Sequence, residues 1–145
     1  MGIKSIVTNT DRLKLISEPV IGLQGVHSTI DDLLETAKHH SKIGIGCVGL
    51  ACNQIGILKR IIVVFISGKW VVMVNPEIAP NPKAGKTTAK EMCLSRPGVK
   101  TFRKRYKKIE VFYVNTYGEA VSLRLSRLSA RIVQHEVDHL DGITI

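Results

Sequence analysis

Gln134-His135-Glu136-Val137-Asp138-His139-Leu140-Asp141-Gly142, near the C-terminus, contains the pattern H-E-x-x-H and decides how the rest of the chain is read. On an α-helix His135 and His139 leave the same face one turn apart, so both imidazoles can bind one metal ion. Glu136 projects off that axis and can exchange a proton with a metal-bound water instead of becoming a ligand. Leu125, Leu128, Ile132, Val133, Val137 and Leu140 recur at three- and four-residue spacings, which predicts a largely buried helix with Gly142 as its stop. Buried histidines and a buried glutamate are costly unless they are paired or ligate a metal, so the pattern favours a metal site over an accident of sequence.

The 145 residues suffice for one domain, 1–145, whose single core buries about two-thirds of the unfolded surface. With 44% hydrophobic and 23% charged residues the composition is that of an ordinary globular protein. No apolar run approaches about 18 residues, which argues against a membrane-spanning helix. Met1-Gly2-Ile3-Lys4 is not followed by the apolar stretch of a signal peptide, so a reducing, cytoplasmic location is expected. Cys47, Cys52 and Cys93 are too few and odd in number for a disulfide framework and read as free thiols or a ligand. The net charge of +9 suits nucleic-acid or ribosome affinity, or solubility alone. Six basic residues lie in 100–108 with Phe102 and Tyr106 interleaved, the one stretch resembling a nucleic-acid patch. Its plainer reading is a solvated basic loop leading into a strand.

Residues 3–19 begin as a short apolar run, end at Pro19 and are expected to form an arm lying on the domain. Ser28-Thr29-Ile30-Asp31 opens a helix with apolar stripe Ile30, Leu33, Leu34 and Ala37, running to about Ser41. His39 and His40 near its end suit the helix dipole and read as structural. Residues 42–56 are rich in glycine but lack a phosphate-binding pattern, so their small residues are expected to let backbone approach a ligand closely. Residues 57–66 and 70–74 read as a hairpin, followed by irregular chain through Pro76, Pro80 and Pro82 to about Lys86. Residues 108–114 and 120–125 flank a second turn. The fold class is therefore α+β, with antiparallel sheets packed around the central metal-binding helix and one N-terminal helix.

Glu91-Met92-Cys93-Leu94-Ser95 supplies a candidate third ligand, Cys93. Taken alone, a cysteine there is more often a small buried apolar residue. Joined to His135 and His139, it leaves a fourth tetrahedral position open, as catalytic sites do. Three stretches in order, Gly49-Leu50-Ala51-Cys52-Asn53-Gln54, Glu91-Met92-Cys93-Leu94-Ser95 and Gln134-His135-Glu136-Val137-Asp138-His139, resemble the motifs G-x-G-x-A-A-x-Q, E-G-C-L-S and H-E-x-D-H of the peptide deformylases. The resemblance covers nearly the whole chain.

That resemblance implies removal of the formyl group from N-formylmethionyl peptides, with Cys93, His135 and His139 holding one divalent metal and Glu136 as general base and acid. It implies ferrous iron, replaceable by nickel, cobalt or zinc, whereas ligand chemistry alone points to zinc. Gln54 and the Leu94 amide match the family's oxyanion donors, and Gly49, with Val48 beside it, matches a position whose backbone pairs with the peptide. By helical spacing, Val48, Leu128, Ile132 and the stem of Arg131 are candidates for the pocket that takes the methionine side chain. Cys47 stands at a family glycine, Cys52 at an alanine and Met92 at the second motif's glycine, which bears on substrate clearance and preference. The chain stops soon after the third motif, like shortened members encoded by phages. A transient ribosome contact would then need another surface, and the basic run 100–108 is one. The expected setting is a bacterial cytoplasm, with the protein a monomer and without specific DNA or membrane partners. A metallopeptidase would add a third ligand downstream, where only 140–145 remain. A non-catalytic, metal-stabilised module binding RNA or the ribosome would have no use for Glu136 or Gln54.

Overall fold

The apolar run Ile61-Ile62-Val63-Val64-Phe65-Ile66 becomes strand β2 (Ile61–Ile66), buried on both faces. Side chains alternate across a strand, so Ile61 and Val63 face one core while Ile62, Val64 and Ile66 face another. The first core is closed by helix α2 (His27–Lys42) through Ile30, Leu33 and Ala37. The second is closed by helix α3 (Arg127–Leu140) through Ala130, Ile132, Val133, Val137 and Leu140. The computed structural model describes residues 2–42 and 47–145. Residues 43–46 of the glycine-rich run lie outside them.

Strands β1 (Gly49–Ala51), β2, β3 (Lys69–Pro80), β6 (Lys108–Val114) and β7 (Ala120–Ser126) form one antiparallel sheet in the order β1-β2-β3-β6-β7. A second, two-stranded sheet pairs β4 (Lys86–Cys93) with β5 (Arg96–Tyr106). The arm carries a single helical turn, α1 (Thr10–Leu13), capped by the Asn9 side chain, and its Leu13 is fully buried.

Three sequence expectations are corrected. The chain from Pro76 to Pro80 is not irregular, because the register shift between Val74 and Glu77, with Asn75 at φ 51°, places Pro76 in a bulge where no ladder donor is needed. Residues 100–106 are not a solvated loop but most of β5, since every second side chain turns inward. Leu125 belongs to β7, and α3 begins two residues later.

The end of α3 behaves as expected of glycine. Gly142 has φ 76°, its N–H donates to the His139 carbonyl and that of Ile143 to the Asp138 carbonyl, which is a Schellman closure. The carbonyl of Lys14 also fills the place of a Cβ there. The metal-motif helix is thus locked to the N-terminal arm, with Ser17 N–H donating to the Leu140 carbonyl at 2.9 Å.

Candidate active site

Strand alternation puts Glu91 and Cys93 on one face of β4, and helical spacing puts His135 and His139 on one face of α3. Packing one face on the other brings ligand atoms of Cys93, His135 and His139 within 4.8 Å of one another, all three residues buried. Cys93 Sγ and His139 Nε2 are 3.2 Å apart, and the two imidazole centroids 5.1 Å. Those separations suit a single ion with bonds of about 2.0–2.3 Å. His135 directs Nδ1 to Glu91 Oε1 at 2.9 Å, which leaves Nε2 for a metal. Burial and the neighbouring His135 lower the His139 pKa to about 3, so its imidazole is neutral and fit to ligate. Burial works against a charge on His135 too, but hydrogen bonding to Cys93 and Glu91 outweighs it and raises that pKa to about 10. Without a metal, the His135 imidazole holds a proton that an ion would displace.

Glu91 is the centre of a buried brace between the β4–β5 hairpin and α3. Arg105 donates to it twice, Nε to Oε2 at 2.9 Å and Nη2 to Oε1 at 2.8 Å, and Arg131 Nη1 donates to Oε2 at 2.6 Å. Burial disfavours the Glu91 charge, yet Arg105, His135 and Arg131 together hold its carboxyl well below the usual range. Arg105 also reaches Asp138 at 2.5 Å, while Arg131 donates to the carbonyls of Arg103 and Thr87. Gln134 clips the end of β5 by accepting from Tyr106 N–H and donating to its carbonyl, both at 2.9 Å. Sequence reasoning gave none of these five residues a bracing role, although the two-residue spacing of Glu91 and Cys93 on a strand carried the signal.

Glu136 is 5% exposed, and burial raises its pKa to about 7. Its Oε1 has no hydrogen-bond partner among the described residues. It can sit there because Gly49 lacks a side chain. A Cβ on Gly49 would lie 2.7 Å from Glu136 Oε2 and 3.0 Å from Ile132 Cγ2. A buried carboxyl with an unused oxygen, titrating near neutrality, is equipped to take a proton and give it back.

Gln54 lies in a 3-10 turn (Cys52–Ile55) after β1. Its Oε1 accepts from Ala51 N–H at 3.0 Å, which aims Nε2 toward Cys93 Sγ at 3.3 Å and Ser95 Oγ at 3.1 Å. Asn53 is fixed too, donating to the His139 carbonyl at 2.7 Å. Leu94 follows the candidate ligand Cys93 directly and lines the cavity beside it.

A cavity of about 690 Å³ opens over these groups. Val48, Gly49, Ile132 and Leu128 line it as anticipated, Ile132 buried and Leu128 63% exposed at the rim. Arg131 also lines it, but its guanidinium is drawn into the Glu91 brace. Ile6 and Thr8 from the arm and His40 from α2 line it unanticipated. The Cys47 thiol is buried in the wall and donates to the Gly49 carbonyl at 3.4 Å, and burial pushes its pKa up to about 12. Met92 is 56% exposed, turned to the rim by strand alternation, so it does not close the cavity.

Residues 3–145 match the polypeptide deformylase family model. Peptide deformylase 3 of Shewanella oneidensis is 36% identical over 98% of this chain and 86% of its own length. The crystal structure of the Thermotoga maritima peptide deformylase superposes with a TM-score of 0.90 at 35% identity, covering 99% of this chain and 95% of that one. The deformylase of the Vibrio parahaemolyticus bacteriophage VP16T, solved with actinonin, gives 0.84 at 32% identity over 97% and 99% of the two chains. With a family match over nearly its whole length, relatives above 30% identity and the same fold, the chain belongs to the peptide deformylases, metallohydrolases that remove N-formyl groups from nascent peptides.

Proposed function

We propose that residues 1–145 act as one catalytic domain that hydrolyses the formyl group of N-formylmethionyl peptides, with Cys93, His135 and His139 holding one divalent metal. The observation that carries this is the meeting of three buried ligand atoms with Glu136, whose Oε1 is unpartnered among the described residues, where Cys93, His135 and Glu136 line the cavity. When bound, the metal supplies Lewis acidity, lowering the pKa of water from about 15.7 to roughly 7 and polarising the formyl group. Glu136 takes the proton from the attacking water and returns it to the leaving amine at its Oε1 or Oε2. Gln54 Nε2, preset by its bond to Ala51, and the Leu94 N–H are the donors for the developing oxyanion, a role that typically supplies about 3 kcal/mol per donor. Val48 and Gly49 present strand backbone to the peptide, and Leu128, Ile132 and the Arg131 stem take the methionine side chain.

The thiolate and two imidazoles suit ferrous iron as well as zinc, nickel or cobalt. The family resemblance favours ferrous iron. The same reading takes the protein as a cytoplasmic monomer with a transient ribosome contact. No helix among the described residues is long and apolar enough to cross a membrane. The test is formate release from formyl-Met-Ala-Ser beside acetyl-Met-Ala-Ser. Hydrolysis of the formyl peptide alone is expected; equal hydrolysis of both, or cleavage inside the peptide, would replace the reading with a general amidase or a peptidase.

A further inference from the structure

The chain's positive charge is not spread over its surface. Residues 86–108, the β4–β5 hairpin and its exit, hold nine Lys and Arg against the single acid Glu91, a net of +8 out of the chain's +9. The other 122 residues hold twelve against eleven and are close to neutral. Inside the hairpin the charges separate by face. Arg105 is committed to Glu91 and Asp138, Arg103 to the Thr144 carbonyl and Arg96 to that of Ile145. On the opposite face strand alternation and register align Lys86 with Tyr106, Thr88 with Lys104 and Lys90 with Phe102, with Lys100 beyond. Lys86 Nζ lies 4.5 Å from the Tyr106 ring centroid and Lys90 Nζ 5.6 Å from that of Phe102. Among the described residues no carboxylate lies within ion-pair distance of Lys86, Lys90, Lys100 or Lys104, and Phe102 is 65% exposed.

We propose that this outer face of the β4–β5 hairpin binds single-stranded RNA, its lysines on phosphates and Phe102 on a base. Lysines four residues apart on a strand stand about 13 Å from one another, so the two rows form a positive track and not a point site. A track of cations interleaved with an exposed aromatic ring fits a strand that offers phosphates and π-faces together. Its exposed apolar groups are only Phe102 and Met92 among the lysines, less than the broad apolar face by which an element lies in a lipid surface. Its inner side is tied to α3 by the brace around Glu91. It also ends at the cavity mouth, where Lys90 and Met92 belong to both. RNA held there would lie beside the peptide site without entering it.

The experiment is fluorescence anisotropy with a labelled, mixed-sequence single-stranded RNA of about 20 nucleotides, at sodium chloride from about 50 to about 200 mM. Four to six phosphate contacts predict a slope of log affinity on log salt of about −3 to −4. Replacing Lys86, Lys100 and Lys104 together by Gln should flatten that slope by about 2 and leave turnover of formyl-Met-Ala-Ser unchanged. Lys14, Lys38 and Lys69 replaced by Gln make the charge-matched control and should keep the slope. Phe102→Leu should weaken binding about fivefold or more at fixed salt with the slope unaltered. A hairpin variant that keeps the wild-type slope, or a control that loses as much, would overturn the proposal. So would wild-type protein that binds anionic phospholipid vesicles but not the RNA, which would make the face a lipid site.

Discussion

Glu136→Gln in the metal-free protein should change how stability depends on pH as well as abolish turnover. The Glu136 carboxyl is buried against Gly49 and Ile132, and burial raises its pKa from 4.5 to about 7. A carboxyl whose pKa is higher folded than unfolded favours the folded state fully below about pH 4.5 and loses that contribution as pH rises through about 7. Integrated over that window, the wild type loses about 2–3 kcal/mol between about pH 5 and about pH 8 that the glutamine variant keeps. His135 and Cys47 feel the Glu136 charge and respond to its loss, while the other titrating groups are common to both proteins and cancel in the difference. The assay is urea unfolding of both metal-free proteins at several pH values, with slopes compared to establish that the same transition is observed. The variant should gain on the wild type steadily from acid to alkaline pH. A difference constant with pH, or one that narrows, would show that Glu136 is not a buried carboxyl titrating near neutrality, and the base assignment would lose its physical ground.

Gly49→Ala places a Cβ 2.7 Å from Glu136 Oε2, so the carboxylate must move; kcat/KM should fall about 10²-fold or more with metal content unchanged. Normal activity would mean that the Glu136 position is not critical. Arg131→Met removes a guanidinium from the Glu91 brace, and urea unfolding should show a loss of about 3 kcal/mol with faster metal release to a chelator. If only the preference among substrate side chains changed, Arg131 would be a pocket wall and no more. Cys93→Ala should lose its metal on dialysis, and retention of a full equivalent would place the third ligand elsewhere.

The site was legible because its chemistry follows the two periodicities of secondary structure. His135 and His139 share a helical face whatever packs around them, and Gly142 and the apolar stripe bounded that helix. Ligand chemistry offered Cys93 as a candidate third ligand, and the resemblance favoured it, but spacing within one strand cannot reveal which helix the strand will meet. The brace was hidden for the same reason. Arg105 and Arg131 are far apart in sequence, and a run of basic residues reads as solvated surface unless strand alternation is assigned to it. The second sheet was missed because β4 opens with Lys86-Thr87-Thr88-Ala89-Lys90, which has few apolar residues. It is held by inward charges paired to Glu91 and Asp138, not by an apolar face. Likewise Pro76 suggested a break, where the bulge after Asn75 lets the strand continue.

The central claim is that Cys93, His135 and His139 hold a hydrolytic metal and that Glu136 moves the proton. Formate release from formyl-Met-Ala-Ser by anaerobically prepared, ferrous-loaded wild type and Glu136→Gln, with metal content measured in both, tests it most directly. Near-stoichiometric metal in both proteins, with turnover by the parent and none by the variant, is the predicted result. Turnover by the variant, or a fully loaded parent that releases no formate, would contradict it.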